Sequence, residues 1–252
     1  MKLEDFRPGV LNKQQLLFLE EEGVIQDSTM DESPESSFDL HIGHEYWIMK
    51  GCIKGLGQKE PYYKILKDKN YFELHKDDLS ESSKIQLERG KTYVFKLKEN
   101  LRYLDNYIRK FYGYATGKSS IGRLDVLVRL IEDSSPAYDR VSEENPGSLY
   151  IEVTPITFDI LVSPGTKLNQ LRIFYGNPEL SELNHKQLKE GLWGNFIVDD
   201  KGGFLNNISK LTLNLEPDKH GDTKLTAFKS LKNEEIIDLT HNYKIEKNKL
   251  DP

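Results

Sequence analysis

From Ser37 onwards the chain is written in short runs of aromatic and β-branched residues separated by polar or glycine-containing breaks, and this pattern most narrows what it can fold into. Phe38-Asp39-Leu40-His41-Ile42, Thr92-Tyr93-Val94-Phe95-Lys96-Leu97 and Leu149-Tyr150-Ile151-Glu152-Val153 are such runs. Thr157-Phe158-Asp159-Ile160-Leu161-Val162 and Leu168-Asn169-Gln170-Leu171-Arg172-Ile173-Phe174 are two more, joined by the turn residues Ser163-Pro164-Gly165. Side chains that carry rings or branch at Cβ fit a pleated, half-buried surface, so these runs read as strands. Alternation of strands with long amphipathic helices, which a parallel sheet with crossovers needs, is absent. The expected class is therefore all-β with a few short helices, as a sandwich or barrel. One of those helices is predicted over residues 12–23, where Leu16, Leu17 and Leu19 precede three glutamates and Gly23 supplies the stop. Residues 26–36, acidic, serine-rich and containing Pro34, read as a loop.

A length of 252 residues suits one large all-β domain or two small ones. Residues 1–180 read as a first β domain, 181–205 as a connector, and 206–252 as the start of a second, incomplete β-rich repeat after Gly202-Gly203. The runs at 210–215, 225–228 and 236–239 belong to that second module. Residues 66–74 can be laid on 231–239, a weak internal likeness. A full duplication would continue past Pro252 and make the tail 240–252 a truncated end.

The net charge of −6 argues against a binder of nucleic acid polymers, which needs a broad basic face. A small anion is still accommodated, since a few cations focused in a pocket can be locally positive inside an acidic protein. The single cysteine, Cys52, can form neither an intramolecular disulfide nor a cysteine-rich zinc site, which points to a reducing cytoplasm and a buried structural role for that residue. The first residues carry no apolar signal core, and no stretch approaches the roughly 18 apolar residues that span a bilayer, so neither secretion nor a membrane is expected.

Chemistry concentrates in Gly117-Lys118-Ser119-Ser120-Ile121-Gly122-Arg123-Leu124-Asp125, which leads into the apolar run Val126-Leu127-Val128. Its glycines allow close backbone approach, Ser119 and Ser120 offer hydroxyl donors, and Lys118 and Arg123 offer charge-assisted donors suited to phosphate oxygens. The other reading is an ordinary polar turn before a buried strand. Glu152 stands out downstream as a carboxylate amid Tyr150, Ile151 and Val153. Strand alternation puts Tyr150, Glu152 and Thr154 on one face and Leu149, Ile151 and Val153 on the other. If the first face lines a pocket, Glu152 is suited to proton transfer; if it faces water, it is a strand-surface charge.

Metal and serine-nucleophile chemistry find little support. His41, His44 and Glu45 do not have the H-E-x-x-H spacing, and on a strand the two histidines point to opposite faces. The H-x-E and P-C-x-x-C pattern of zinc nucleobase deaminases cannot be built with one cysteine. A G-x-S-x-G nucleophile elbow is missing too.

Three strings, Gly117 to Val126 as quoted, Leu149-Tyr150-Ile151-Glu152-Val153, and Pro164-Gly165-Thr166-Lys167-Leu168-Asn169-Gln170-Leu171-Arg172, resemble the dCTP deaminases of the dUTPase-like superfamily. The likeness is to the N-terminal part of their long, internally duplicated bacterial form. Ser36-Ser37-Phe38-Asp39-Leu40-His41-Ile42-Gly43 is similar to that family's S-x-D-L-x-x-G signature. The resemblance implies a dUTPase-like distorted β-barrel followed by a partial second β module. It implies a homotrimer or pseudo-trimer with nucleotide sites between barrels, with the second half supplied by another chain as a further option. It also implies zinc-independent hydrolytic deamination of dCTP to dUTP and ammonia. Carried over by position, Ser119, Ser120 and Arg123 hold the triphosphate, with Lys118 beside them. Ser119 and Arg123 also stand near the reacting base, Glu152 transfers protons, and Gln170 is a further phosphate contact. Magnesium would come with the nucleotide rather than occupy a protein cage.

Two departures keep other readings open. Residues 139–147, Asp-Arg-Val-Ser-Glu-Glu-Asn-Pro-Gly, lack the aromatic that the family carries just before the glutamate strand, and they add acids. The second barrel of the long form is also incomplete. A catalytically silent nucleotide-binding or regulatory barrel, and a split subunit that needs a partner chain, therefore stand beside the enzyme.

Overall fold

The computed structural model describes residues 6–28, 36–51, 61–102, 111–133, 135, 137–141, 147–176, 217–220, 223–225 and 236–240. Cys52, the connector 181–205, the run at 210–215, the loop 142–146 and the tail beyond Thr240 lie outside them. Three short helices are described, α1 (Lys13–Glu21), α2 (Tyr62–Ile65) and α3 (Ser119–Gly122). The strands before α3 are β1 (Gly9–Val10), β2 (Ile25–Gln26), β3 (Phe38–Met49), β4 (Phe72–Lys76), β5 (Ile85–Leu87), β6 (Thr92–Leu101) and β7 (Phe111–Gly117). After it come β8 (Val126–Glu132), β9 (Arg140–Val141), β10 (Ser148–Pro155), β11 (Asp159–Val162) and β12 (Lys167–Tyr175). Short strands β13 (Asp218–His220), β14 (Thr223–Leu225) and β15 (Ile236–Asp238) follow.

Local sequence explains the punctuation. Asn12 caps α1 by accepting from Gln15 N at 3.0 Å, and the Gln15 side chain returns the bond to Asn12 N at 3.0 Å. Gly23, at φ 70, then ends it. The turn Ser163-Pro164-Gly165 closes with Thr166 N donating to Ser163 O at 3.0 Å and Gly165 at φ 87, a conformation glycine adopts without steric cost.

The main sheet runs β8-β10-β6-β3-β12-β7-β9, with β1 added on β12, β2 on β6 and β4 on β3. It curls into a nearly closed barrel, the all-β class with a few short helices that the runs of β-branched residues predict. The curl centres on β3, whose first half pairs with β12 and whose second half pairs with β6, with a register shift between Ile42 and Tyr46. Gly43 sits in that shift, and a Cβ there would lie 2.8 Å from Lys96 O. On the other side Asp139, at φ 60, ties β7 to β8: its carbonyl accepts from Ala115 N at 2.9 Å and its Oδ1 from Leu130 N at 2.8 Å.

Alternation sorts the side chains. Leu149, Ile151 and Val153 of β10 enter the barrel core with Phe38, Leu40, Phe95 and Leu171. Each such burial is worth about 1.5–3 kcal/mol. The opposite face of the same sheet builds a second cluster of Trp47, Met49, Val94, Ile131 and Tyr150, packed with Tyr62 and Leu66 at α2. α2 is pinned there by Asp133, whose carbonyl accepts from Tyr62 N at 2.6 Å and whose Oδ1 accepts from Tyr63 N at 2.9 Å.

The chain divides into two units, 1–176 with 232–252, and 177–231. In the second the described structure is the antiparallel hairpin β13–β14. The run 236–239, grouped by sequence with the second module, instead extends the first unit. β15 pairs in parallel with β11, which also pairs with β5, and Leu239 N donates to Leu161 O at 2.8 Å.

Candidate functional site

The phosphate-friendly segment folds as a single helical turn staked at both ends. β7 ends at Gly117, and Lys118 N donates to Leu168 O at 3.0 Å, while Lys118 O accepts from Ile121 N at 2.9 Å and Gly122 N at 3.0 Å. Ile121 anchors the turn in the core, and Arg123 Nη1 donates to Ser119 Oγ at 2.9 Å. At the far end Asp125, at φ 56, accepts from Ile156 N at 3.0 Å with its carbonyl and from Thr157 Oγ1 at 2.5 Å with its carboxylate. Ser119 and Arg123 are exposed, whereas Lys118 and Ser120 are half-buried. A Cβ at Gly117 would make only ordinary contact, 3.6 Å from Val128 Cβ, and one at Gly122 would point into open space. Packing therefore does not account for either glycine.

Asp39 on the neighbouring strand stands between Lys118 and Gln170, contacting the first and lying opposite the second. Asp39 of β3 lies directly opposite Gln170 of β12, which lies opposite Thr116 of β7. Lys118 Nζ contacts Asp39 Oδ2 at 2.5 Å, Gln170 Nε2 donates to Thr116 Oγ1 at 3.2 Å, and Ser37 Oγ donates to Gln170 Oε1 at 3.4 Å. The fold thus gathers Lys118, Ser119, Ser120, Arg123 and Gln170 at one end of β7 and β12. It adds Asp39, whose carboxylate was not singled out by sequence although it stands inside a quoted run.

Glu152 occupies a different place. It lies in mid-β10, directly opposite Arg129 of β8 and Val94 of β6, on the outer face of the sheet. At 2% exposure it is not a surface charge. Tyr138 OH donates to Oε2 at 3.2 Å, Arg129 Nη2 stands 3.2 Å from Oε1, and the Arg129 guanidinium lies 4.3 Å from the centre of the Tyr138 ring. Neither Glu152 Oε1 nor Arg129 Nε has a hydrogen-bond partner among the described residues. Burial pushes the neighbouring Tyr150 phenol upward and raises the Asp133 carboxyl, so this face is poorly hydrated. Among the described residues no hydrogen bond or ion pair joins Glu152 to Ser119, Ser120 or Arg123.

Arg129 carried the same sequence signal as Glu152, a lone charge in the apolar run Val126-Leu127-Val128-Arg129-Leu130-Ile131. Tyr138 carried none, because its approach depends on the loop's path. Of the histidines, His41 is bonded through Nδ1 to the fully buried Glu99, and His44 Nδ1 donates to Leu79 O at 2.7 Å.

Residues 7–177 match the family model described as the 2'-deoxycytidine 5'-triphosphate deaminase N-terminal domain. No curated protein sequence matches the chain significantly. Among solved structures, a 2'-deoxycytidine 5'-triphosphate deaminase from Agrobacterium tumefaciens aligns with a TM-score of 0.67 and 22% identity, covering 92% of this chain. At that identity the likeness is one of fold, and this chain spans 64% of the other's length.

Proposed function

The chain belongs to the family of the 2'-deoxycytidine 5'-triphosphate deaminase N-terminal domain, and from that premise we propose that it binds dCTP and hydrolyses it to dUTP and ammonia without zinc. The observation that carries this reading is Glu152, a buried carboxylate with one oxygen left without a hydrogen-bond donor. In the proposed reaction Glu152 takes a proton from the water that adds to C4 of cytosine and returns it to N3. It then takes the proton of the new hydroxyl and gives it to the amino group, so that ammonia leaves and a carbonyl remains. Such a positioned acid–base group contributes about 10²–10⁴ in rate. Ser119, Ser120, Arg123 and Lys118 hold the triphosphate with Gln170, each charge-assisted bond being worth roughly 1.5–3 kcal/mol. Ser119 and Arg123 also face the base.

Magnesium enters with the triphosphate. Its hard octahedral shell is suited to phosphate oxygens and water. The separation of Glu152 from the α3 turn favours a site shared between barrels in a homotrimer or pseudo-trimer. The single cysteine favours a cytoplasmic setting. Among the described residues no helix is long and apolar enough to cross a membrane.

A second reading, nucleotide binding without turnover, draws on Arg129, which already offsets the Glu152 charge at 3.2 Å. Incubation with dCTP and magnesium, followed for ammonia, dUTP and dUMP, separates the two. Turnover that Glu152→Gln abolishes while sparing dCTP binding supports the enzyme. Binding without turnover supports the silent barrel, and absence of binding overturns both.

A further inference from the structure

We propose that Tyr138 and Arg129 are positioning residues that fix the Glu152 carboxylate so that Oε1, and not Oε2, is the oxygen that exchanges the proton; this rests on the reading of Glu152 as proton carrier. Strand register sets the geometry. Glu152 and Arg129 are directly opposed on adjacent antiparallel strands, so their side chains leave the sheet on the same face with Cβ atoms about 4.5–5.5 Å apart. A carboxylate opposite a guanidinium is ordinarily gripped by two parallel N–H bonds. Here the grip is incomplete: Arg129 Nη2 approaches Oε1 at 3.2 Å without hydrogen-bond alignment, and Arg129 Nε, the other donor of the fork, is buried and unused.

What turns the guanidinium aside is Tyr138. Its ring lies 4.3 Å from the guanidinium carbon, a stacking distance, and its hydroxyl donates to Oε2 at 3.2 Å. The three side chains therefore hold one another: Tyr138 fixes Oε2 and Arg129, and Arg129 supplies charge beside Oε1. The two carboxylate oxygens become unequal. Oε2 has its donor, while Oε1, on a residue 2% exposed, has none among the described residues. Buried polar atoms are almost always partnered, so an acceptor left open on the proposed proton carrier is an acceptor kept for a ligand N–H or a water.

The test uses the full chain and three conservative variants, Tyr138→Phe, Arg129→Lys and Arg129→Met. Tyr138→Phe keeps the ring and its stacking, and is expected to lower kcat by about tenfold to a hundredfold with KM for dCTP within about twofold of native. Arg129→Met is expected to lower kcat further, and Arg129→Lys to recover most of that loss. The carboxyl 13Cδ resonance of Glu152, assigned by its disappearance in Glu152→Gln, supplies a readout independent of turnover. It moves in Tyr138→Phe and Arg129→Met and stays in the remote Lys84→Ala. Native protein that binds dCTP without turning it over defeats the deaminase reading and, with it, the proton exchange, whatever the resonance does. Turnover in the native chain with kcat unchanged in Tyr138→Phe, with KM rising in its place, or with an unmoved resonance overturns the positioning role alone.

Discussion

Single residues decide whether this barrel can close around its site. Gly43 lets β3 leave β12 and join β6, because a Cβ would stand 2.8 Å from a backbone oxygen that cannot swing away. Gly43→Ala is expected to destabilise the fold by about 1–3 kcal/mol, read as a lower urea midpoint at constant slope. Gly122 is the opposite case, with open space where its Cβ would be. Gly122→Ala is expected to leave the urea midpoint nearly unchanged and to weaken dCTP binding in calorimetry, since it fills the approach a phosphate would use. Unchanged binding would return α3 to the status of an ordinary polar turn. A charge that interrupts an apolar strand is legible residue by residue: Glu152 stands out that way and the structure buries it, and the same rule applied to Val126–Glu132 of β8 finds Arg129. It could not find Tyr138, whose contact with Glu152 spans a loop rather than a register position.

At the scale of elements, the added strand β15 stands at the edge of its three-stranded sheet. Its attachment to β11 is reinforced by Asp238, which accepts from Thr240 Oγ1 at 2.6 Å and Thr240 N at 2.9 Å and pairs with Lys84 Nζ at 3.2 Å. The Thr240 hydroxyl, then its amide, then Lys84 hold the Asp238 carboxyl down, to about 2. A carboxyl depressed in the fold stabilises it at pH values above its ordinary 3.8 and loses that contribution as pH falls through about 2. The Asp238 side chain is more than a third exposed, so solvent screening keeps the effect at or below about 1 kcal/mol. The expected outcome of Asp238→Asn at neutral pH is faster amide exchange at Leu239, whose N–H bonds Leu161 O, with exchange in β10 unchanged. As pH is lowered from 4 to 2, the native Leu239 amide should lose protection relative to that variant. Protection that is the same in both proteins across the range would place the hold of β15 in its backbone pairing alone.

For the whole molecule the telling fact is that the α3 turn and Glu152 are built on different strands with no bond between them among the described residues. If neighbouring barrels complete each other's sites, Glu152→Gln and Arg123→Ala are each inactive alone but complement when unfolded together and refolded. Random equal mixing in a ring then restores about a quarter of the sites, because each needs one intact residue from either side of an interface. No recovery in mixed assemblies would place the whole site in one chain.

The β class, the position of α1, the turn at Gly165 and the two-faced character of β10 are legible in the amino-acid order alone, since each depends on neighbours a few residues apart. That order also marks Ser119, Ser120, Arg123 and Glu152 as unusual for their surroundings. The burial of Glu152, its enclosure by Arg129 and Tyr138, the pairing of Asp39 with Lys118 and the return of residues 236–238 to the first unit emerge from the folded chain alone. Those outcomes depend on which strands become neighbours, and pairing between distant segments is set by how whole faces bury together rather than by the pattern within any one run.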